Sequence, residues 1–281
     1  MTTSPDRPVL VLGATGKTGR RLVTALRAAG APVRPASRSS ATRFDWDDEA
    51  TWPAALAGAS AVYLVVPEVA EPVHRFVRQA VDAGVRRFVA LSGRGIERLD
   101  GPGFPGMAAG EEAVREHAPE WTVIRPNNFA QNFSEDVWHA PVLAGRLALP
   151  IGAAPEPFVD VRDIADVAAA LLTADDAGHH GRTYELSGPR GLTFGEAVEV
   201  IARVSGRGVA YEELTPGAYR DELRAVGASE GEVAALDAMF AGMRAGNVAE
   251  PTDGVRRVLG REPVAFETWA AEAAASGAWA A

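Results

Sequence analysis

Three regularly spaced glycines near the start of the chain, Gly13, Gly16 and Gly19, could bind a ligand through the backbone. They follow the apolar run 9–12, and an amphipathic helical pattern begins directly after them. A buried strand, a glycine turn and a helix N-terminus form a cradle for dinucleotide phosphates, because backbone N–H groups and the positive end of the helix dipole face the anion. We expect this cradle to consist of Gly13, Thr15, Gly16, Lys17, Thr18 and Gly19.

The glycine motif leaves two alternatives open. Its spacing is G-x-x-G-x-x-G rather than G-x-G-x-x-G, and the segment 16–18 also suggests the phosphate loop of nucleoside triphosphatases. That loop needs a further glycine at position 11, where this chain has valine. A plain turn between strand and helix is the second alternative. The order of strand, glycines and helix favours dinucleotide binding.

Arg38 bears on the choice of dinucleotide. It follows a short strand expected over 32–37, about 20 residues beyond the glycine loop, where NAD enzymes usually carry an acid and an arginine accommodates the 2′-phosphate of NADP. Hydroxyl groups of Ser37 and Ser39 flank it, and an arginine fork beside hydroxyls suits a phosphate. We therefore predict NADPH in preference to NADH, with Asp45 near the adenine. The alternative is an exposed arginine on a surface loop.

Strand-like and helix-like segments alternate through the first half of the chain. Such alternation predicts an α/β fold with a doubly wound, parallel Rossmann sheet. Beyond residue 133 the pattern loosens and becomes mostly helical, which predicts a smaller C-terminal lobe. We place the NAD(P)-binding core at 1–133 and the substrate-side lobe at 134–281, and we expect 157–174 and 183–187 to return to the core.

Ligands of such sheets bind at the carboxyl ends of the strands. On the cofactor side we expect Val66, Pro67, Ser92 and Pro126 at these ends. Apolar side chains further along could line a substrate pocket, although for any single aromatic among them a place in the core is the better expectation. The pocket candidates are Met107, Phe129, Phe133 and Trp138.

Three segments together resemble the NmrA-like group of atypical short-chain dehydrogenase/reductases. They are GATGKTG at 13–19, FVALS at 88–92 and RPNNF at 125–129. The stretch 37–52 is similar to the ergot-alkaloid iminium reductases, the agroclavine dehydrogenase type. The resemblance implies a Rossmann fold, an NADPH site and an oxidoreductase activity. It also implies an alternative, because some NmrA-like proteins are non-catalytic NADP(H) sensors that act through a protein partner.

The chain departs from ordinary short-chain dehydrogenases in lacking the Tyr-x-x-x-Lys pair, whose lysine lowers the pKa of the tyrosine that handles the carbonyl proton. The sole lysine is Lys17, and none of the four tyrosines has lysine four residues on. Reduction of a ketone needs a positioned proton, whereas an iminium ion needs hydride alone. An enone or a quinone can take a late proton from water. We therefore expect iminium, enone or quinone reduction, with Ser92 and Asn128 positioning the reactants. The alternative is that these two side chains only satisfy backbone groups at the strand ends.

The composition of the chain restricts the kinds of partner and ligand that we expect. A net charge of −9 disfavours nucleic acid or an anionic membrane, and no apolar run approaches the length of a membrane span. The chain has no cysteine, and the pair His179-His180 is typical of a solvated turn, so we expect no metal. The expected ligand is a small apolar or cationic substrate. We expect a cytoplasmic monomer or homodimer.

Overall fold

The computed structural model describes residues 7–98, 103–174 and 178–280. Within these ranges, nine strands run as β1 (Val9–Leu12), β2 (Val33–Ser37), β3 (Thr42–Arg43), β4 (Ala61–Leu64), β5 (Arg87–Leu91), β6 (Glu120–Pro126), β7 (Arg146–Leu149), β8 (Arg182–Leu186) and β9 (Ala210–Glu213). Seven of them form one parallel sheet in the order β3-β2-β1-β4-β5-β6-β8, and β7 pairs with β9 separately. This order is that of a doubly wound sheet, so the predicted fold class is confirmed.

Helices cover both faces of the large sheet and build most of the C-terminal region. They are α1 (Lys17–Ala28), α2 (Trp52–Leu56), α3 (Val73–Asp82), α4 (Pro105–His117), α5 (Asn132–Glu135), α6 (His139–Leu143), α7 (Val161–Thr173), α8 (Phe194–Ser205), α9 (Pro216–Ala225), α10 (Glu230–Arg244), α11 (Gly254–Leu259) and α12 (Phe266–Ala275). None of the helices that the structure describes is long and apolar enough to cross a membrane.

Alternating side chains of the central strands supply two separate cores. In β1, Val9 and Val11 pack on the side of α1 and α7, whereas Leu10 and Leu12 pack on the side of α2, α3 and α4. A strand buried on both faces needs apolar residues at every position, which accounts for the unbroken apolar runs in the sequence. The strands are therefore held rigidly, and their carboxyl ends form one edge.

Helix α7 and strand β8 join the large sheet although they lie far along the chain. Helix α7 packs against α1, and β8 extends the sheet beyond β6. We propose to divide the chain at residue 133, with these two elements assigned to the core. An isolated bridge joins Phe129 to Val159 beyond the end of β6, and β3 ends at Arg43 because the chain turns at Asp45.

A third core holds the C-terminal helices together. Its aromatic side chains stack edge to face or tilted against one another, with ring centroids 4.8–6.3 Å apart. Helix α8 begins at a capping box, in which Thr193 and Glu196 exchange hydrogen bonds. The buried aromatic members of this third core are Phe133, Trp138, Phe158, Phe194, Phe240, Phe266, Trp269 and Trp279.

Candidate functional site

The glycine loop joins β1 to α1 in a conformation that larger residues could not adopt. Gly13 has a φ of +61°, in the left-handed region, and a Cβ at Gly19 would overlap the carbonyl oxygen of Gly13. The N–H of Gly16 donates to that same carbonyl oxygen at 2.9 Å. The start of α1 therefore packs directly against the glycine loop. The backbone of this loop has the form of a phosphate cradle.

A cleft of about 830 Å³ extends from this loop along the carboxyl ends of β2 and β4. A dinucleotide needs an elongated site of this kind beside a glycine turn, so the residues present fit the cofactor. Most of the residues expected to bind the cofactor line the cleft. These are Gly13, Thr15, Gly16, Lys17, Thr18, Ser37, Arg38, Ser39, Asp45, Val66 and Pro67.

Three expected cofactor residues lie elsewhere. Gly19 packs beneath the loop rather than lining the cleft, because its role is close approach. Ser92 and Pro126 line a second cavity at the ends of β5 and β6. The sequence placed them at the correct edge of the sheet, because strand ends are predictable even where pocket boundaries are not.

The Arg38 end of the cleft is arranged around small hydroxyl groups. The Ser37 hydroxyl accepts a hydrogen bond from the N–H of Ser39 at 3.2 Å and lies 2.7 Å from the hydroxyl of Ser40. The Arg38 side chain is exposed at the cleft. This end of the cleft thus offers a cation, a hydroxyl cluster and open space, the combination that suits a phosphate.

The second cavity encloses about 400 Å³ and meets the cleft at Lys17 and Phe129, which line both. Apolar side chains dominate its walls. Of the expected site residues, Ser92, Met107, Pro126, Asn128 and Phe129 line it. No tyrosine is found among the described residues that line the cleft or the cavity. The apolar side chains are Ile96, Phe104, Met107, Phe129, Val137, Met239, Met243 and Val248.

Ser92 is held in a buried charge network. Its hydroxyl donates to Glu111 at 2.6 Å, and Arg125 donates two hydrogen bonds of 2.7 Å to the same carboxylate. Burial alone would raise the pKa of Glu111, but the hydrogen bonds from Arg125 and Ser92 hold that pKa below its usual range. The hydroxyl proton of Ser92 is thus committed to Glu111, which leaves the oxygen as an acceptor in the cavity.

Asn127 and Asn128 follow β6 and are fixed by a buried carboxyl group, Glu156. Its Oε1 accepts hydrogen bonds from the Asn127 amide at 2.8 Å and from the Asn128 backbone N–H at 2.9 Å. Burial raises the pKa of Glu156 to about 7, against the opposing effect of these hydrogen bonds. Glu156 also lines the cavity. Sequence reasoning missed this residue, because a single glutamate outside any motif gives no signal.

The side chain of Lys17 turns away from the glycine loop toward the C-terminal region. Its ammonium group donates to Asn132 Oδ1 at 2.7 Å, pairs with Asp136 and lies 5.2 Å from the centroid of the Phe129 ring. The chain's one lysine thus stands where cleft and cavity meet, instead of only beside the phosphate cradle.

The match that decides the family covers most of the chain. The model of the NmrA-like family matches residues 5–259. The chain belongs to the NmrA-like family. The expected resemblance is therefore confirmed, including the similarity to ergot-alkaloid reductases reported next.

Two curated relatives and one solved structure resemble this NmrA-like protein over nearly their whole lengths. A (4-alkanoyl-5-oxo-2,5-dihydrofuran-3-yl)methyl phosphate reductase from Streptomyces griseus is 35% identical, with 94% of this chain and 97% of the relative covered. Agroclavine dehydrogenase from Claviceps fusiformis is 31% identical over 92% and 94%. The Escherichia coli NADPH-dependent quinone oxidoreductase structure with NADPH has a TM-score of 0.78 at 21% identity, covering 95% and 99%.

Two residues of this NmrA-like protein do not take the place expected for them. Phe133 and Trp138 were expected in the substrate pocket, but neither lines the cavity. Phe133 is fully buried and Trp138 nearly so, with their rings 4.8 Å apart in the third core. The correction has a physical reason: Phe158, Phe194 and Phe266 surround Phe133 and complete its packing away from the cavity.

Proposed function

We propose that this protein is an NADPH-dependent reductase that transfers hydride to a conjugated enone, a quinone or an iminium ion. The observation that carries the proposal is the junction at Lys17 and Phe129, through which the dinucleotide-shaped cleft opens into an apolar cavity. When bound, the reduced dinucleotide supplies a hydride. The chain contributes binding, orientation and exclusion of water from the cavity.

The preference for NADPH is supported by Arg38. Its exposed guanidinium group stands in the cleft beside the hydroxyls of Ser37 and Ser39, where a 2′-phosphate would gain charge-assisted hydrogen bonds. The ribose hydroxyls of NADH would offer this cation no negative charge. We therefore propose that Arg38 supplies the discrimination between the two cofactors.

The cavity walls support a small, mostly apolar substrate. Met239 and Met243 of α10 and Met107 of α4 all line the cavity, and thioether side chains adapt to ligands of different shape. Ser92 and Asn128 are two of the polar residues of the wall, and they follow the ends of β5 and β6. These two side chains orient the substrate, while the methionines fill the space around it.

The name of one relative favours one class among the three candidate hydride acceptors. The Streptomyces relative is named for a dihydrofuranone that carries an alkanoyl group, in which the ring double bond is conjugated with carbonyl groups. Hydride addition to such a bond needs no Tyr-Lys pair, because the negative charge spreads onto the carbonyl oxygen. A conjugated acceptor is accordingly our first candidate for this cavity.

The experiment follows nicotinamide absorbance with purified protein, NADPH and four acceptors: a 2-alkanoyl butenolide, a quinone, a cyclic iminium ion and a simple ketone. Consumption with any of the first three but not with the ketone supports the proposal. Consumption with the ketone alone contradicts it. Tight NADPH binding without consumption of any acceptor would favour the sensor alternative instead.

A matched pair of variants tests the cavity itself. Met239→Trp should fill the space and lower kcat/KM at least tenfold, whereas Met239→Leu keeps nearly the original volume and should stay within about threefold of wild type. Both variants should bind NADPH as tightly as wild type, measured by quenching of protein fluorescence. Equal activity in both variants would place the substrate outside this cavity.

A further inference from the structure

The Glu156 carboxyl group has one oxygen engaged and one free of partners. Oε1 holds the Asn127–Asn128 turn, whereas Oε2 is buried with no hydrogen-bond partner among the described residues. A buried carboxyl oxygen without a partner costs about 1–3 kcal/mol, so such groups are uncommon in stable folds. Holding the turn needs Oε1 alone, and that task leaves the second oxygen unexplained.

The surrounding backbone fixes this side chain at the inner wall of the cavity. Pro155 and Pro157 flank Glu156 and restrict its backbone, and its N–H and C=O both pair with Leu192 at 2.8 and 3.1 Å. The residue has no measurable solvent exposure, yet it is one of those that bound the cavity. A proton on this carboxyl group is therefore shielded from bulk water and adjacent to the substrate space.

Few charges compete for the carboxyl group. Arg94 is the cation that acts on it, and Arg94 itself pairs with Glu185 at 3.1 Å and donates to the Asn127 amide oxygen at 2.9 Å. The positive charge of Arg94 is thus already balanced by the Glu185 carboxylate, and Arg94 does not donate a hydrogen bond to Glu156. Burial then dominates and favours the neutral, proton-bearing carboxyl group near neutral pH.

We propose that Glu156 is the internal proton donor of this active site, and that the preferred substrates are conjugated carbonyl compounds whose reduction consumes a proton. The inference rests on the proposed reductase function. It assigns the proton, which the missing Tyr-Lys pair would otherwise supply, to a carboxyl group outside any family motif.

The reaction balances as follows for an enone. The hydride forms a C–H bond at the β-carbon, and the electron pair of the C=C bond moves to give an enolate. The O–H bond of Glu156 breaks and its proton forms the new bond at the enolate, so that the substrate gains two electrons and two hydrogens. When the product leaves, water enters the cavity, and the Glu156 carboxylate recovers a proton from that water before the next turnover. An iminium ion completes its reduction at the hydride step and leaves Glu156 unused.

Glu156→Gln tests the proposal, since its amide oxygen can still accept from Asn127 and Asn128 but the side chain has no acidic proton. General acid catalysis contributes about 10²-fold or more, so kcat for the butenolide or quinone should fall by about that factor. The fall with a cyclic iminium ion should be at least tenfold smaller. Glu250→Gln, the same change at an exposed glutamate, is the matched control and should leave both rates within twofold.

The solvent isotope effect and infrared absorption give readouts that a merely structural role would not move. In wild type, kcat for the conjugated acceptor should slow in D₂O, whereas kcat for the iminium ion should not. Infrared difference spectra of wild type should show that a protonated-carboxyl band present at pH 6 is lost at pH 9. The same spectra of Glu156→Gln should lack this band. Both results should hold with and without NADPH.

The outcomes separate the inference from the function on which it rests. Wild type that oxidises no NADPH with any acceptor refutes the reductase function. If wild type is active, two results overturn the proton-donor role: an equal loss of kcat for both acceptor classes in Glu156→Gln, or the absence of a carboxyl band assignable to Glu156. Glu156 would then be a residue that positions the turn. A larger loss with conjugated acceptors together with the band supports it.

Discussion

Burial of Glu156 should make the stability of the fold depend on pH in a way that one substitution abolishes. The pKa of its carboxyl group is about 7 in the fold, against an ordinary value of 4.5. Between these two pH values the folded protein holds the proton more tightly than the unfolded chain does. The favourable contribution is thus complete below pH 4.5 and is lost as the pH rises through about 7.

The size of the effect follows from the same two values. Each pH unit between them corresponds to about 1.4 kcal/mol, so the free energy of unfolding should lose about 3 kcal/mol from this group between pH 4.5 and pH 8. Glu156→Gln carries no titrating group at this position. The free energy of unfolding of the variant minus that of wild type should therefore grow by about 3 kcal/mol over this range.

Urea unfolding followed by tryptophan fluorescence measures this difference, because the chain has six tryptophans. The titration is made at several pH values from 4.5 to 8 for wild type, Glu156→Gln and the exposed control Glu250→Gln. The control should follow wild type at every pH. A difference between Glu156→Gln and wild type that does not change with pH would refute the reasoning, because it would show that Glu156 titrates normally.

Four further changes have expected outcomes. Arg38→Asp should weaken NADPH binding about 10²-fold and NADH binding far less, by fluorescence titration; equal losses would refute its role at the 2′-phosphate. Phe133→Ala should cost about 3–5 kcal/mol in urea unfolding yet leave the Kd for NADPH unchanged, because its ring lies in the third core. Glu111→Gln should cost about 3–5 kcal/mol by removing the buried negative charge to which Arg125 donates two hydrogen bonds, and a loss below 1 kcal/mol would contradict this network. Gly19→Ala should abolish NADPH binding by displacing the glycine loop, which calorimetry can check, whereas Gly208→Ala meets no neighbouring atom and should retain it.

The parts of the fold that the sequence predicts are those decided by local pattern. The glycine loop and the central strands each depend on a few neighbouring residues, and they form where expected. The capping box at Thr193 is equally local. Their periodicity and turn chemistry already encode the backbone conformation. Parallel order in the sheet then follows from the alternation of strands and helices.

The features that the sequence could not predict depend on contacts between distant segments. Phe133 has the same apolar character whether it lines a pocket or fills a core, and its partner Phe266 lies more than a hundred residues away. Glu156 gains its significance only when the end of β6 and the segment around Leu192 close over it. The side-chain direction of Lys17 is set by Asp136 and Asn132, which no local motif includes.

Lys17 carries the one side-chain amine of this protein, and it can therefore be labelled selectively among the side chains. Reductive methylation with a ¹³C-labelled reagent would place one side-chain reporter, at Lys17, between the cleft and the cavity. Its resonance would register the aromatic ring current of Phe129 and the state of the ion pair with Asp136. Cofactor and substrate occupancy could therefore be read from one signal, without engineering a probe into the site.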